Sequence, residues 1–198
     1  MPRRLVLLLP LLLLTVALFN LGCKCDPPST VSLSVTIHPQ ETGVWCWAAS
    51  GQMVMDYLGH DVSQCTQANN RFGRTDCCTT RPAGCVQTGW PEFAKYDFSF
   101  DRTSDAALNW TDLKKQISTS SYCQKKPFCF SWHWSGGGGH MMVAMGYKTV
   151  GGTNWVEMID PLPVNTGDQR FVTYNAYVSG TGYTHWDDFY NITYTGGS

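Results

Sequence analysis

The sequence predicts an α+β domain, with helices in its first half and strands in its second. Apolar residues recur at helical spacing from Cys46 to Leu58. Short aromatic and β-branched runs dominate after residue 126, and glycine-rich turns separate several of them. Helices followed by a run of strands bury their apolar faces by packing helix on sheet, and this arrangement defines the α+β class. The length of 198 residues suits one domain, or two small lobes that share a core.

The N-terminus predicts a secretory signal. Two arginines precede an apolar run, Leu5–Phe19, which is short for a membrane-spanning helix. We therefore expect residues 1–22 to be a signal peptide, and a retained membrane anchor is the alternative. The Asn-Leu-Gly-Cys sequence at 20–23 also resembles a bacterial lipobox, so lipid attachment through Cys23 would give membrane attachment by a different route.

The remaining sequence predicts a short leader, residues 23–35, and a single domain, residues 36–198. We expect a protein that is secreted or held in the cell envelope, and a monomer. Only 15% of the residues are charged and the net charge is −1, so the composition excludes nucleic acid as a partner.

The nine cysteines indicate disulfides, because exported proteins mature in an oxidising compartment. The metal-site alternative is disfavoured, since the cysteine cluster lacks the paired spacing of zinc ribbons. We expect no metal and no organic cofactor. If Cys23 is lipidated or lost near the cleavage site, Cys46 stays free and Cys25 is left over, three bridges form. Their pairing is undetermined among Cys65, Cys77, Cys78, Cys85, Cys123 and Cys129.

Three helices are predicted. The first spans 46–58 and stops at Gly59 as its C-cap, the second begins after Ser63, and the third covers 110–117 with Thr111 as N-cap. Strands are predicted where the leader ends and in the segments 127–134, 140–148, 154–160, 169–178 and 184–194. The four glycines at 136–139 are too few for a spacer and indicate close passage of the backbone.

Cys46 is the candidate nucleophile. A helix N-terminus presents free N–H groups and the positive end of the helix dipole, which favour a thiolate. His140 opens a predicted strand and Asp160 ends the adjacent one, so antiparallel pairing would bring both within reach. The alternatives are a buried or bridged cysteine for Cys46 and a turn residue before proline for Asp160.

These residues resemble the papain-like cysteine proteases, including compact bacterial members. Gln40 stands six residues before Cys46, Trp47 follows it, and the strand motif HMMVAMGY begins at His140. The resemblance covers residues 36–195. It implies a papain-like fold, in which a helical first lobe carries the nucleophile on a helix N-terminus and packs on an antiparallel, β-rich second lobe.

The resemblance also implies catalytic roles. Cys46 would attack, His140 would act as general base and then acid, and Asp160 would orient the imidazole. The Gln40 amide and the Cys46 backbone N–H would form the oxyanion hole, although Gln40 could be a surface polar residue. An aspartate rather than asparagine as orienter resembles the bacteriocin-processing transporter peptidases, and the short spacing from Cys46 to His140 implies a trimmed second lobe.

Other residues have competing interpretations. A substrate cleft is predicted at Trp45, Trp47, His133 and Trp134, although aromatic side chains more often fill cores. His133 is a rival imidazole, and His185 beside Asp187 and Asp188 is a third. We expect a peptidase acting on a protein or peptide substrate. The alternatives are a transglutaminase-like acyl transferase with the same triad and a disulfide-stapled, non-catalytic binding module.

Overall fold

The computed structural model describes residues 24–197, so the predicted signal peptide and Cys23 lie outside the described residues. The described chain forms four α-helices: α1 (Cys46–Tyr57), α2 (Gln64–Phe72), α3 (Trp110–Ile117) and α4 (Tyr174–Val178). Short 3₁₀ turns lie at Ala83–Cys85 and Phe93–Tyr96. The strands are β1 (Thr30–Ser32), β2 (Phe98–Arg102), β3 (Phe128–Trp134), β4 (Gly139–Val150), β5 (Thr153–Asp160), β6 (Asp168–Thr173), β7 (Ser179–Gly180) and β8 (Tyr183–Tyr194).

The strands form one antiparallel sheet in the order β2-β8-β3-β4-β5-β6. The short strand β1 pairs with β4, and β7 pairs with β8. The central strand β4 is buried along most of its length, from His140 to Tyr147. Helix α1 packs against β4, and its side chains Trp47, Met53 and Val54 join the core. The predicted α+β plan is confirmed, with the helix that starts at Cys46 lying on the sheet.

The three predicted helices are present, and the differences from the prediction lie at their ends. Ser63 caps α2 by accepting a hydrogen bond from the Thr66 backbone N–H, as predicted. Gly59 follows the C-cap of α1 with φ +84°, a left-handed conformation that glycine adopts without strain. The prediction of Thr111 as N-cap is wrong. Asn109 takes that position, because its side chain accepts the Asp112 N–H at 3.0 Å.

The predicted strands are present with two corrections. The segment 169–178 is strand only to Thr173, where the Thr173 hydroxyl caps a short helix by accepting the Ala176 N–H at 3.1 Å. Strand β2 was missed. It pairs with β8 at the sheet edge, and its short alternation of Phe98 and Phe100 with polar residues was the available signal.

Three disulfides close the described chain: Cys25–Cys123, Cys65–Cys78 and Cys77–Cys85. The expectation that Cys129 is bridged and Cys25 unpaired is wrong. Cys129 lies on β3 as a fully buried free thiol, whereas Cys25 ties the leader to the segment after α3. Cys46 is free, as predicted. Three disulfides indicate an oxidising or extracellular environment.

No helix among residues 24–197 has the length and apolar composition needed to cross a membrane.

Candidate active site

Cys46 is the first residue of α1, and the helix begins there without a side-chain cap. The preceding turn is made by Thr42, whose carbonyl accepts the Trp45 N–H and whose hydroxyl accepts the Val44 N–H, each at 3.4 Å. The other three α-helices are capped by Ser63, Asn109 and Thr173. The first-turn N–H groups of α1 are therefore not occupied by a capping side chain, and they surround a half-buried thiol.

His140 lies at the start of β4, directly after the glycine turn that joins β3 to β4. A side chain at Gly139 would overlap the Trp132 carbonyl oxygen and approach the Trp186 ring to 2.9 Å. The close backbone passage predicted for the glycine run is thus observed at Gly139. It allows the hairpin to fold tightly and fixes where the His140 ring emerges from the sheet.

Asp160 holds the His140 ring from the adjacent strand. His140 Nε2 lies 2.6 Å from Asp160 Oδ1, and both side chains are buried. The Leu162 N–H donates to the same oxygen at 2.9 Å, and Arg170 Nη2 donates to Oδ2 at 3.0 Å. Since Nε2 is turned to Asp160, Nδ1 is the nitrogen available to Cys46, with which the ring also interacts.

The charges of this group favour an imidazolium. Burial disfavours the charged ring, but hydrogen bonds and electrostatic attraction from Asp160 and Cys46 outweigh it and raise the pKa of His140 to about 9. Burial also opposes ionisation of Asp160, yet its contacts with His140, the Leu162 N–H and Arg170 hold the pKa of that carboxyl below its ordinary value. His140 therefore carries its proton at neutral pH, beside the Cys46 sulfur.

A buried hydrogen bond fixes the helix relative to the strand. The hydroxyl of Ser50, one turn after Cys46 on α1, donates to the Met141 carbonyl at 3.2 Å. Met141 follows His140 on β4. The bond therefore links the turn that carries the thiol to the residue next to the imidazole.

Gln40 is fully buried beside the turn that follows Asp160. Its backbone N–H donates to the Pro161 carbonyl at 2.9 Å, and its carbonyl accepts the Asn165 N–H at 3.1 Å. The side-chain Nε2 donates to the Thr42 carbonyl at 2.6 Å, whereas Oε1 has no partner among the described residues. The surface alternative for Gln40 is wrong, and its oxyanion role stays a prediction.

A pocket opens beside Cys46 and His140, and Trp47 forms part of its wall. The cleft prediction for Trp45 is wrong, whereas a cleft role for His133 and Trp134 stays a prediction. Trp45 is completely buried in the core, where its indole N–H donates to the Cys85 carbonyl. His133 and Trp134 lie outside the pocket within the described chain, and the His133 ring stacks on Trp186 with centroids 4.6 Å apart.

Sequence reasoning missed three residues that line this pocket: Arg71, Trp90 and Trp186. Trp90 follows the segment that Cys65–Cys78 ties to α2 and Cys77–Cys85 closes into a loop. The Trp47 indole N–H anchors that segment by donating to the Gln87 carbonyl at 3.2 Å. The Thr-Gly-Trp-Pro stretch just after the last clustered cysteine was the available signal, since a glycine beside an aromatic permits close approach.

His185, the third candidate imidazole, forms a buried pair with an aspartate away from Cys46. Its Nε2 lies 3.0 Å from Asp188 Oδ1, and the Tyr177 hydroxyl donates to the same carboxylate at 2.7 Å. Asp187 instead pairs with Arg102 at 2.8 Å. None of these five residues lines the pocket beside Cys46, in the part of the chain that the structure describes.

Among residues 24–197, two clusters bring together side chains of types that can ligate a metal. Cys77 and Cys85 lie near Asp76, but their sulfurs are bonded to each other. His38 Nε2 lies 2.8 Å from Asp56 Oδ2, and Asp61 of the same cluster accepts a hydrogen bond from Gln52. These hydrogen bonds account for the second cluster without an ion.

Comparison with known proteins gives a family and a solved structure. A model of the Peptidase_C39 like family matches residues 32–191. A structure from work on the limited antibody cross-reactivity between the mite allergens Blo t 1 and Der p 1 has a TM-score of 0.49 and 11% identity. That match covers 86% of this chain and 73% of the other. No curated protein sequence gives a significant match.

Proposed function

The chain belongs to the Peptidase_C39 like family, and on that premise we propose that it is an exported cysteine peptidase with Cys46 as its nucleophile. Family membership confirms the predicted papain-like cysteine protease, which acts on protein or peptide substrates. The observation that carries the assignment of residues is the buried Asp160–His140 pair facing a thiol at an uncapped helix start.

The first half of the proposed reaction forms an acyl-enzyme. The Cys46 thiolate attacks the carbonyl carbon of the scissile bond, and the negative charge moves to the carbonyl oxygen. The open N–H groups of α1, with the Gln40 amide, are the donors proposed for that oxygen. His140 then gives its proton to the departing amine, the C–N bond breaks, and a thioester to Cys46 remains.

The second half of the reaction returns the enzyme to its starting state. Neutral His140 accepts a proton from water, which attacks the thioester carbonyl. Collapse of that intermediate releases the carboxylic acid product and the Cys46 thiolate. Asp160 keeps the ring oriented throughout, because it accepts the Nε2 proton while Arg170 and the Leu162 N–H hold its own oxygens.

Alkylation of the two free thiols among residues 24–197 tests the nucleophile. Iodoacetamide at mildly acidic pH should modify Cys46 and leave Cys129 unmodified, since Cys129 is fully buried on β3. Peptide hydrolysis should disappear in Cys46→Ala and persist in the matched control Cys129→Ala. His140→Ala should slow alkylation sharply. Equal labelling rates for Cys46 and a free model thiol would remove the nucleophile from the proposal.

Product analysis separates the peptidase from its two alternatives. Mass spectrometry of a peptide digest with an added amine should show hydrolysis products, whereas amide products with the amine would indicate acyl transfer. A folded wild-type protein without activity on any peptide would favour the binding module.

Export through the signal at residues 1–22 is part of the proposal, and the three disulfides support it. The mature N-terminus, read by mass spectrometry of the protein from outside the cytoplasm, tests the cleavage site. A lipid mass on Cys23 would establish the membrane-attached form. A chain that keeps its apolar run in the cytoplasm would contradict export.

A further inference from the structure

The pocket beside Cys46 has a volume of about 230 Å³. This lies below the roughly 300–1,000 Å³ typical of small-molecule sites, so the size suits one amino-acid side chain. Its walls are aromatic, from Trp47, Trp90 and Trp186, and Arg71 is the cation that lines it beside His140. No carboxylate lines the pocket, among the residues that the structure describes.

Packing holds Arg71 in place. The residue lies in the last turn of α2, and its stem runs beneath Gly89. A Cβ at Gly89 would overlap Arg71 Nε and approach Arg71 Cδ to 2.9 Å and the Trp47 ring to 3.0 Å. The guanidinium carbon also lies 5.4 Å from the centre of a Trp47 ring. Arg71 is therefore positioned before any ligand arrives, which reduces the entropy lost on binding.

Few of the hydrogen-bond donors of the Arg71 guanidinium have a partner within the described residues. Arg71 Nε is buried and has no hydrogen-bond partner within the described residues. Nη1 makes one long hydrogen bond, to the Trp90 carbonyl at 3.4 Å, and its contact with Glu92 is 3.8 Å. Glu92 also lies 3.0 Å from Lys95. A guanidinium has five N–H donors, so Arg71 retains capacity for a further acceptor.

Other arginines of the chain differ in this respect. Arg102 lies 2.8 Å from Asp187, and Arg170 lies 3.0 Å from Asp160. Arg81 contacts Glu41 closely while it covers the Trp45 ring at 5.0 Å. Within the described residues, Arg71 has no carboxylate closer than that of Glu92 at 3.8 Å, and unlike Arg81 it lines the pocket beside the thiol.

We propose that Arg71 makes this pocket a subsite for an acidic side chain of a peptide, glutamate or aspartate. The proposal rests on the peptidase function proposed above and adds its specificity. A carboxylate entering between the tryptophan walls would accept charge-assisted hydrogen bonds from Arg71 and would be attracted by the His140 imidazolium. The uncharged amide, glutamine, has the same shape and lacks both attractions.

Protection of Cys46 from alkylation tests the subsite without requiring turnover. Hexapeptides with one glutamate moved through every position, and the matched glutamine series, compete with iodoacetamide for the mature protein. At one or more positions the glutamate peptide should protect Cys46 about tenfold or more better than its glutamine partner. Equal protection by both series at every position, or protection by neither, would overturn the subsite.

Substitutions test whether Arg71 causes the preference for glutamate peptides. Arg71→Met keeps the stem beneath Gly89 and should bring glutamate and glutamine peptides to equal protection, while Arg71→Lys should retain part of the preference. Arg81→Met removes the same charge from a tryptophan outside the pocket and should leave the preference intact. A preference that survives in Arg71→Met would overturn the assignment.

Two further measurements distinguish failure of the acidic subsite from failure of the peptidase function. If Arg71→Met does not fold, added salt should weaken protection by glutamate peptides in the wild type and leave glutamine peptides unaffected. A salt-independent preference would contradict a charge interaction. Hydrolysis of the same peptides is followed in parallel. Glutamate-selective protection without hydrolysis would refute the peptidase and leave the acidic subsite standing.

Discussion

Replacing Asp160 with asparagine should change the pH dependence of the site more than its geometry. The asparagine oxygen can still accept the proton on His140 Nε2, but the negative charge that favours the imidazolium is removed. In the present site the pKa of His140 rises from 6.5 to about 9, which corresponds to roughly 3 kcal/mol in favour of the protonated ring. We therefore expect the His140 titration in Asp160→Asn to move to lower pH.

The effect of Asp160→Asn on kcat/KM depends on pH. At pH 8, a ring with a pKa of about 9 is about nine-tenths protonated, whereas a ring at the ordinary 6.5 is about 3% protonated. If hydrolysis requires the imidazolium as proton donor, kcat/KM at pH 8 should fall by up to about thirtyfold. At pH 5.5 both rings are protonated, so the two enzymes should differ little.

The direct assay is NMR titration of the histidine ring protons, with the His140 signal assigned by its loss in His140→Gln. The wild-type midpoint should lie near pH 9, and kcat/KM measured from pH 5 to 10 should follow it. Asp160→Leu serves as control, because it removes both acceptor oxygens and should lower activity at every pH. A uniform loss in Asp160→Asn from pH 5.5 to 9, with an unmoved His140 titration, would refute the electrostatic reasoning.

Three other predictions follow from the same contacts. Arg170→Met removes a donor that orients Asp160 and should lower kcat/KM about tenfold at pH 8. Because the substitution also removes a cation near the His140 imidazolium, the alkaline limb should move towards higher pH, and a shift to lower pH would contradict this reasoning. Because the pKa of His140 is raised on folding, its contribution to stability is present below pH 6.5 and lost as pH rises through about 9. Urea unfolding should therefore show a larger decrease over that range in wild type than in His140→Gln. Removing Cys25–Cys123 by a double alanine substitution should lower the free energy of unfolding by about 4–5 kcal/mol, and removing Cys65–Cys78 by about 3 kcal/mol, since the closed loops span 98 and 13 residues. Equal changes in Tm would contradict the loop-entropy account.

Much of the site could be predicted because its residues occur in recognisable local sequence patterns. A cysteine at the start of an apolar helix, a histidine after a glycine turn and an acid at the end of the next strand are each visible within a few residues. Sequential strands usually pair, so β4 and β5 brought His140 and Asp160 together. Helix α1 was predictable for a similar reason, since its apolar spacing is regular.

The remaining features depend on contacts between distant segments. Arg170 reaches Asp160 because β6 pairs with β5, and the sequence around Arg170 carries no mark of that role. The prediction that Cys129 is bridged failed because this residue is buried on β3, away from the other cysteines. That burial depends on the whole sheet and cannot be read from the local sequence. Trp45 was misplaced because it precedes α1 and its indole turns into the core towards the Cys85 carbonyl, whereas Trp47, two residues later on the helix, reaches the pocket wall.

The two sides of the pocket are held by different means, and this division explains how specificity could change without loss of the nucleophile. Cys46 and His140 are aligned by the hydrogen bond from Ser50 on α1 to the Met141 carbonyl on β4, within the packed core. Arg71 instead lies on α2, and Trp90 lies on the segment that follows the disulfide-closed loops. A substitution at Arg71 leaves the contact between α1 and β4 intact. Changes on the α2 side should therefore alter which peptide binds, while Cys46 keeps its reactivity towards iodoacetamide.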